Sequence, residues 1–289
     1  MAREAAAGPN RAAAAARVPR AGRGWGSRSL AGVAGLFGLF LGLPIVALVG
    51  RAIIDGSLAR ALGAQAVLTA LSLSLTTTAV SLVLTVSFGL PLALVLARRR
   101  FRGSGLVEAV VDLPIVLPPS VAGLALLLLL GRRGLVGGPL DALGIEIPFT
   151  TLAVILAQTF VSAPFFVRSA RTGIAGVDRD LEDAARVDGA SELQLFRHIT
   201  IPIASAVLSA GLVMTWARAL GEFGATIMFA GNLEGRTQTL PLLVYGEFEG
   251  GSLDASIAAA AILVLAALGV LVAVRALHWG RVLDLRTLG

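Results

Sequence analysis

The 289-residue chain is 56% hydrophobic and 15% charged, with a formal net charge of +6 and a mean hydropathy of +0.85; soluble domains carry roughly 25% charged residues, and one of this size could not hide so much apolar surface. Cysteine is absent, which excludes disulfides, thiolate metal sites and thiol nucleophiles, and the two histidines, His198 and His278, stand far apart with no carboxylate cluster beside either. All 24 basic residues are arginine, and a phosphate-binding loop of the Walker type needs a lysine, so an ordinary ATP site is excluded and any hydrolysis falls to a partner.

Residues 1–28 are rich in Ala, Arg and Gly without an apolar run and read as a disordered, basic cytoplasmic tail. The hydrocarbon core of a bilayer takes about 20 helical residues to cross. Leu30–Val49 is uncharged and crosses once; it is too long for a signal peptide and lacks a small-residue cleavage site. Ala66–Ala97 is the second span, and Leu113–Gly131, opened by Pro114, Pro118 and Pro119, is the third. Pro148–Val167 is the fourth, Ile199–Ala230 the fifth although Arg218 and Glu222 interrupt it, and Ala255–Val274 the sixth. The expectation is an all-α polytopic bundle of about six transmembrane helices over residues 29–277, with a short cytoplasmic tail at 278–289. Eighteen arginines fall in the two tails and in the loops Arg98–Arg102 and Arg168–Arg197, five on the opposite side, and Arg218 within the membrane. That asymmetry puts both termini in the cytoplasm of a cell whose cytoplasmic membrane holds the protein. It also explains the positive charge as topology and not as nucleic-acid binding.

The cytoplasmic loop 168–200 is the longest polar stretch between spans. It contains LEDAARVDGASELQLFRHITIP, from Leu181 to Pro202. Asp178, Asp180, Glu182 and Asp183 crowd the first turn of a predicted helix, where carboxylates suit the helix dipole. Ala184, Ala185, Val187 and Ala190 make a smooth strip, Gly189 interrupts it, and a second helix over Glu192–His198 leads to Pro202 at the membrane. The result is a helix–glycine–helix unit displayed in water. The spacing Glu-Ala-Ala, three residues, Gly, nine residues, Ile, one residue, Leu-Pro marks membrane subunits of ATP-binding-cassette importers, and here it stands as Asp183-Ala184-Ala185, Gly189, Ile199 and Ile201-Pro202. Asp183 replaces the usual Glu and Ile201 the usual Leu; both keep charge or apolarity. The resemblance implies that the loop is the coupling unit seated in a groove of a cytoplasmic ATPase subunit.

Three further segments are similar to the molybdate permease family, with sulfate and tungstate permeases as relatives: DLPIVLPPSVAGLALLLLLGRRG (112–134), ARALGEFGATIMFAGN (217–232) and GRTQTLPLLVY (235–245). The resemblance spans about residues 66–275. It implies a transporter subunit that is not itself an enzyme and holds no cofactor or metal, with ATP and Mg bound by the separate ATPase. An extracytoplasmic oxyanion-binding protein would deliver the cargo. One coupling loop per chain against two grooves in an ATPase pair implies a homodimer in the lipid bilayer.

The transport path is expected at Pro114, Pro118, Pro119, Arg218 and Glu222. Each proline removes a helical N–H, and carbonyls left free at membrane depth must face protein or water, so the start of the third span belongs on the interior side. Arg218 and Glu222 are four apart, hence on one helix face. An intramembrane ion pair is a functional hypothesis by default. Either Arg218 offers a positive field to a passing oxyanion while Glu222 moderates it, or the two lock the fifth span to its neighbours. A sulfate or thiosulfate importer of the same kind is the nearest alternative reading. An ion-coupled secondary transporter would show inverted repeats and more acidic residues at depth than Glu222.

Overall fold

A computed structural model describes residues 26–99 and 101–286, and their side chains over 29–99 and 101–272. The expected tail 1–28 therefore lies outside the described residues except for its last three, and of 278–289 only the backbone to Arg286 is described. The chain divides into two compact units, 1–47 and 48–289. The first holds most of α1 (Gly26–Ile54), a helix with Leu36, Phe37 and Phe40 exposed, as a lipid-facing surface requires.

In the second unit α2 (Ser57–Leu62) leads into α3 (Gln65–Arg98), and α4 (Ser104–Val116) is followed by α5 (Pro119–Leu130) and the short α6 (Gly137–Asp141). Then come α7 (Thr151–Ala175), α8 (Arg179–Val187) and α9 (Glu192–Leu195), a π-helical turn over Phe196–Thr200, and α10 (Ile201–Leu220). The chain closes with α11 (Gly224–Ala230), α12 (Leu240–Glu249) and α13 (Leu253–Arg286). The π turn has a local cause: Pro202 has no N–H to offer and its ring crowds the carbonyl four residues back, and the Ile201 N–H reaches back five residues to the Phe196 carbonyl.

Among the described residues five helical stretches are long and apolar enough to cross a membrane: Ser29–Ile54, Gln65–Arg98, Thr151–Ala175, Glu192–Leu220 and Leu253–Val272. Two expected spans need correction. Leu113–Gly131 is not one helix: α4 and α5 meet at a bend of 118°, because Leu117, forced out of the helical region by the following Pro118, adopts φ −68°, ψ 135°. Ile199–Ala230 is likewise interrupted. Its helix begins earlier, at Glu192, ends at Leu220, and resumes as α11 only after Gly221–Phe223.

Helix α7 organises the second unit. It runs parallel to α3, with Gln158 Nε2 donating to Thr78 Oγ1 (3.4 Å), Thr159 Oγ1 to Ser81 Oγ (3.0 Å), and Gly89 against Phe166 and Val167. It runs antiparallel to α10, where Gly173 lies against Ala204 and Val207 and Gly211 against Ser169. The Phe149 N–H donates to the Phe229 carbonyl (3.4 Å), so α11 prolongs α10 along α7. Lipid tails are as apolar as leucine, so helices in a membrane gain little from greasy contact; small and hydroxyl side chains let backbones close in. Helix α3 shows this. Ser74, Thr77, Thr78, Ser81 and Thr85 form a buried stripe, and Ser74 Oγ accepts the Leu240 N–H at 2.7 Å, tying in the start of α12.

Candidate functional sites: two joined helix breaks and an exposed loop

Both helix breaks meet at one place. Pro119 opens α5, where proline suits the first turn, and Gly224 opens α11 against it. A Cβ built on Gly224 would stand 2.7 Å from the Pro119 Cβ, and one on Gly123 would stand 2.5 Å from the Ala225 carbonyl oxygen. The backbones of α5 and α11 are thus in direct contact, and only glycine permits it. Of the three prolines expected on the interior side, Pro114 is buried, while Pro118 and Pro119 remain exposed on the protomer surface.

Arg218 and Glu222 do pair, at 2.5 Å between Nη1 and Oε2. They do not share a helix face, however, because Glu222 lies beyond the end of α10. Its other oxygen accepts the Ala225 N–H at 2.7 Å, capping α11. Glu222 is 1% exposed and both its oxygens are engaged, whereas the Arg218 side chain keeps 27% of its surface open. The carboxylate is a fixed strut, and the guanidinium keeps one edge open. The antiparallel register brings Gln158 and Ser162 of α7 to the level of this break. Gln158 Oε1, Ser162 Oγ, Thr215 Oγ1 and Thr226 Oγ1 are buried and have no hydrogen-bond partner among the described residues. The hydroxyl stripe and Gln158 escaped the sequence reading; serine and threonine recurring every three or four residues through the second span was the available signal.

At the far end of α7 lies the loop 176–200. Asp178 caps α8 by accepting the Asp180 N–H (3.0 Å), and Ser191 caps α9 in a reciprocal box with Gln194. Between them Gly189 has φ +88°, in the left-handed region, with nothing within 4 Å of where a Cβ would be. Arg186 braces the turn from both sides, to Asp183 (2.7 Å) and Glu192 (2.8 Å). Its hydrogen bond, reinforced by charge, holds the Glu192 carboxyl below the usual value, while the two carboxylates raise Arg186 further. Asp183 and Ala184 are exposed, Ala185 and Ile199 half-buried, and Pro202 exposed. On α8, which lies outside the span-length helices, Leu181 and Val187 stand out at 51% and 88% exposure. Glu182 alone of the acidic quartet points inward. Nothing in the local pattern distinguishes it from Asp180 or Asp183, so the sequence reading could not single it out.

The opposite end of α7 carries a basic cleft lined by Arg132, Arg133, Glu146, Phe149 and Arg236. Arg132 hydrogen-bonds Glu146 at 2.5 Å and holds that carboxyl below its ordinary range. Arg133 and Arg236 have no carboxylate within salt-bridge distance among the described residues, so the cleft is net positive. No three His, Asp or Glu side chains gather to hold a metal among the described residues.

The family model of the binding-protein-dependent transport system inner membrane component matches residues 89–279. The chain belongs to this family. It is a multi-pass inner-membrane permease. Among its relatives is the probable molybdenum ABC transporter permease protein of Haloferax volcanii, 41% identical over 245 residues, covering 85% of this chain and 88% of the relative. The molybdenum transport system permease protein ModB of Mycobacterium tuberculosis is 46% identical over 160 residues, covering 55% of this chain and 61% of that protein. The permease also shares its fold with a chain of a crystallised bacterial ABC transporter involved in import of the acidic polysaccharide alginate. That likeness has a TM-score of 0.69 at 19% identity, over 89% of this chain and 95% of the other.

Proposed function

We propose that the permease forms the translocation path of an ATP-driven oxyanion importer, with molybdate as the cargo. It works as a homodimer, its termini in the cytoplasm, engaged by two copies of a separate ATPase and supplied by an extracytoplasmic binding protein. Molybdate is favoured because the relatives above carry molybdenum in their names.

The observation that carries the reading is the junction of the two helix breaks. Pro118, Pro119 and Gly221 expose interrupted backbone at the protomer surface, and such backbone is not tolerated against lipid. A second copy enclosing a water-filled path supplies the cover, and the open edge of Arg218 then lies along that path. A tetrahedral dianion meets one partly compensated guanidinium per protomer, enough to lower the barrier without a trap. The helix–glycine–helix unit supplies the drive. Asp183, Ala184, Ala185, Gly189, Ile199 and Pro202 lie in the segment that docks on the ATPase, and closure of the ATPase pair draws the two loops together so that the bundle alternates its opening. Eighteen arginines on the side of this loop against five opposite support its cytoplasmic placement.

The test is reconstitution of permease, ATPase and binding protein in liposomes, with ATP-dependent uptake of radiolabelled molybdate, tungstate and sulfate each measured. Uptake of labelled sulfate without uptake of labelled molybdate reassigns the cargo. Absence of ATP-dependent uptake of all three anions overturns the reading.

A further inference from the structure

The geometry points to Glu182 as a positioning residue: a buried latch through which displacement of α8 is delivered to α3 and to the start of α10. This rests on the proposed coupling role of the loop.

Helix α8 is a surface helix in every other respect. Asp183, Ala184, Arg186 and Val187 are exposed, and Glu182 is its one buried residue. Its carboxylate, 3% exposed, has been taken out of water, which is tolerable only where partners are in place. Glu182 Oε1 is the meeting point of two donors. One is Arg98 Nη2, from the last residue of α3, with the arginine side chain 17% exposed; the other is Thr200 Oγ1, at 3.0 Å, from a residue 1% exposed at the end of the π turn that opens α10. Three elements therefore converge on a single oxygen. Arg98–Glu182 is the ion pair joining α8 to α3 among the described residues.

The position of that oxygen matters. Helix α3 lies along α7 by Thr78–Gln158 and Ser81–Thr159 and reaches the start of α12 through Ser74. Helix α10 leads to the break at Gly221. A load applied to the outer face of α8 thus reaches both the polar seam and the helix break through one buried carboxylate. The exposed residues of α8, Leu181 and Val187 among them, and the turn at Gly189 can dock whether or not the latch is made. Docking and transmission are separable.

Removing one member of a buried pair strands the other charge, whereas replacing both by apolar groups of similar size can leave stability unchanged. The informative variant is therefore Arg98→Met with Glu182→Met in the full transporter. We expect dimer yield, thermal stability and ATPase co-purification at wild-type level, with molybdate taken up per ATP hydrolysed falling roughly tenfold, as befits a coupling free energy of ordinary size. The charge-reversed pair, Arg98→Glu with Glu182→Arg, should recover much of the ratio that Glu182→Arg alone loses. An unchanged transport-to-hydrolysis ratio in the double methionine variant overturns the latch. If that variant does not assemble, a charge-reversed pair no better coupled than Glu182→Arg overturns it equally. Wild-type permease that fails to co-purify with the ATPase strikes instead at the coupling loop, and so at the proposed function.

Discussion

Gly224 and Pro119 touch so closely that no side chain fits between them: a Cβ on Gly224 would lie 2.7 Å from the Pro119 Cβ and 3.2 Å from the Ser120 amide nitrogen. Two helix interruptions more than a hundred residues apart are thereby joined, and the joint holds the exposed backbone in register. Gly224→Val and Gly123→Leu should each push α5 from α11, destabilising the bundle by about 1–3 kcal/mol as overpacking does and reducing uptake more than expression. The control is Gly105→Ala, where nothing lies within 4 Å and an effect within ~0.5 kcal/mol is expected. Thermal melting in detergent and uptake are the measurements; wild-type behaviour of Gly224→Val removes the tight joint.

The two members of the intramembrane pair should not be equivalent. Arg218→Met strands Glu222, which is 1% exposed, at a cost of about 3–5 kcal/mol. Glu222→Gln should be milder, because the amide oxygen still accepts from Ala225 and Arg218 is partly open. The double variant Arg218→Met with Glu222→Gln should regain expression without regaining oxyanion uptake. Full recovery of uptake would assign the pair a purely structural role. Single variants that transport at the wild-type rate would remove both roles.

Gly189 separates folding from docking. Its φ of +88° costs a non-glycine residue about 1–2 kcal/mol, and open space around it means no further clash. Gly189→Arg should leave the permease folded yet reduce ATPase co-purification and uncouple hydrolysis from uptake, while Gly189→Asn, which tolerates this conformation, should be affected less. Enlarging Ala185 should resemble Gly189→Arg. Normal docking and transport by Gly189→Arg would withdraw the coupling assignment.

The Arg186 brace gives a pH prediction with a definite sign. The Glu192 carboxyl is held below its usual value near 4.5 by the Arg186 hydrogen bond. A depressed folded pKa contributes stability that is present above the unfolded value and is lost as pH falls through the folded one. The brace should therefore be constant across neutral pH and loosen only as pH falls below the ordinary carboxylate range. Arg186→Gln should return the Glu192 titration toward 4.5, read by NMR on glutamate-labelled permease in nanodiscs. A titration unmoved by the substitution would mean the pair is not formed in solution.

What the amino-acid sequence determined by itself was much of what depends on near neighbours. Uncharged runs long enough to cross a bilayer, the lopsided arginines, the spacing from Asp183 to Pro202 and the four-residue separation of Arg218 and Glu222 all follow from local periodicity and transfer energy. The sequence also marked the prolines at 114, 118 and 119 as a weak point. Only the tertiary structure showed that the chain turns through 118° there, because a proline in the sequence marks a break without stating its angle. The same holds for Glu182, whose partner Arg98 stands 84 residues earlier, and for Gln158, which finds Thr78 at a separation of 80. In a soluble protein an apolar stripe at least announces which face of a helix is buried. Here lipid and core are equally apolar, so the packed face is chosen by small and hydroxyl side chains and by where their distant partners come to lie.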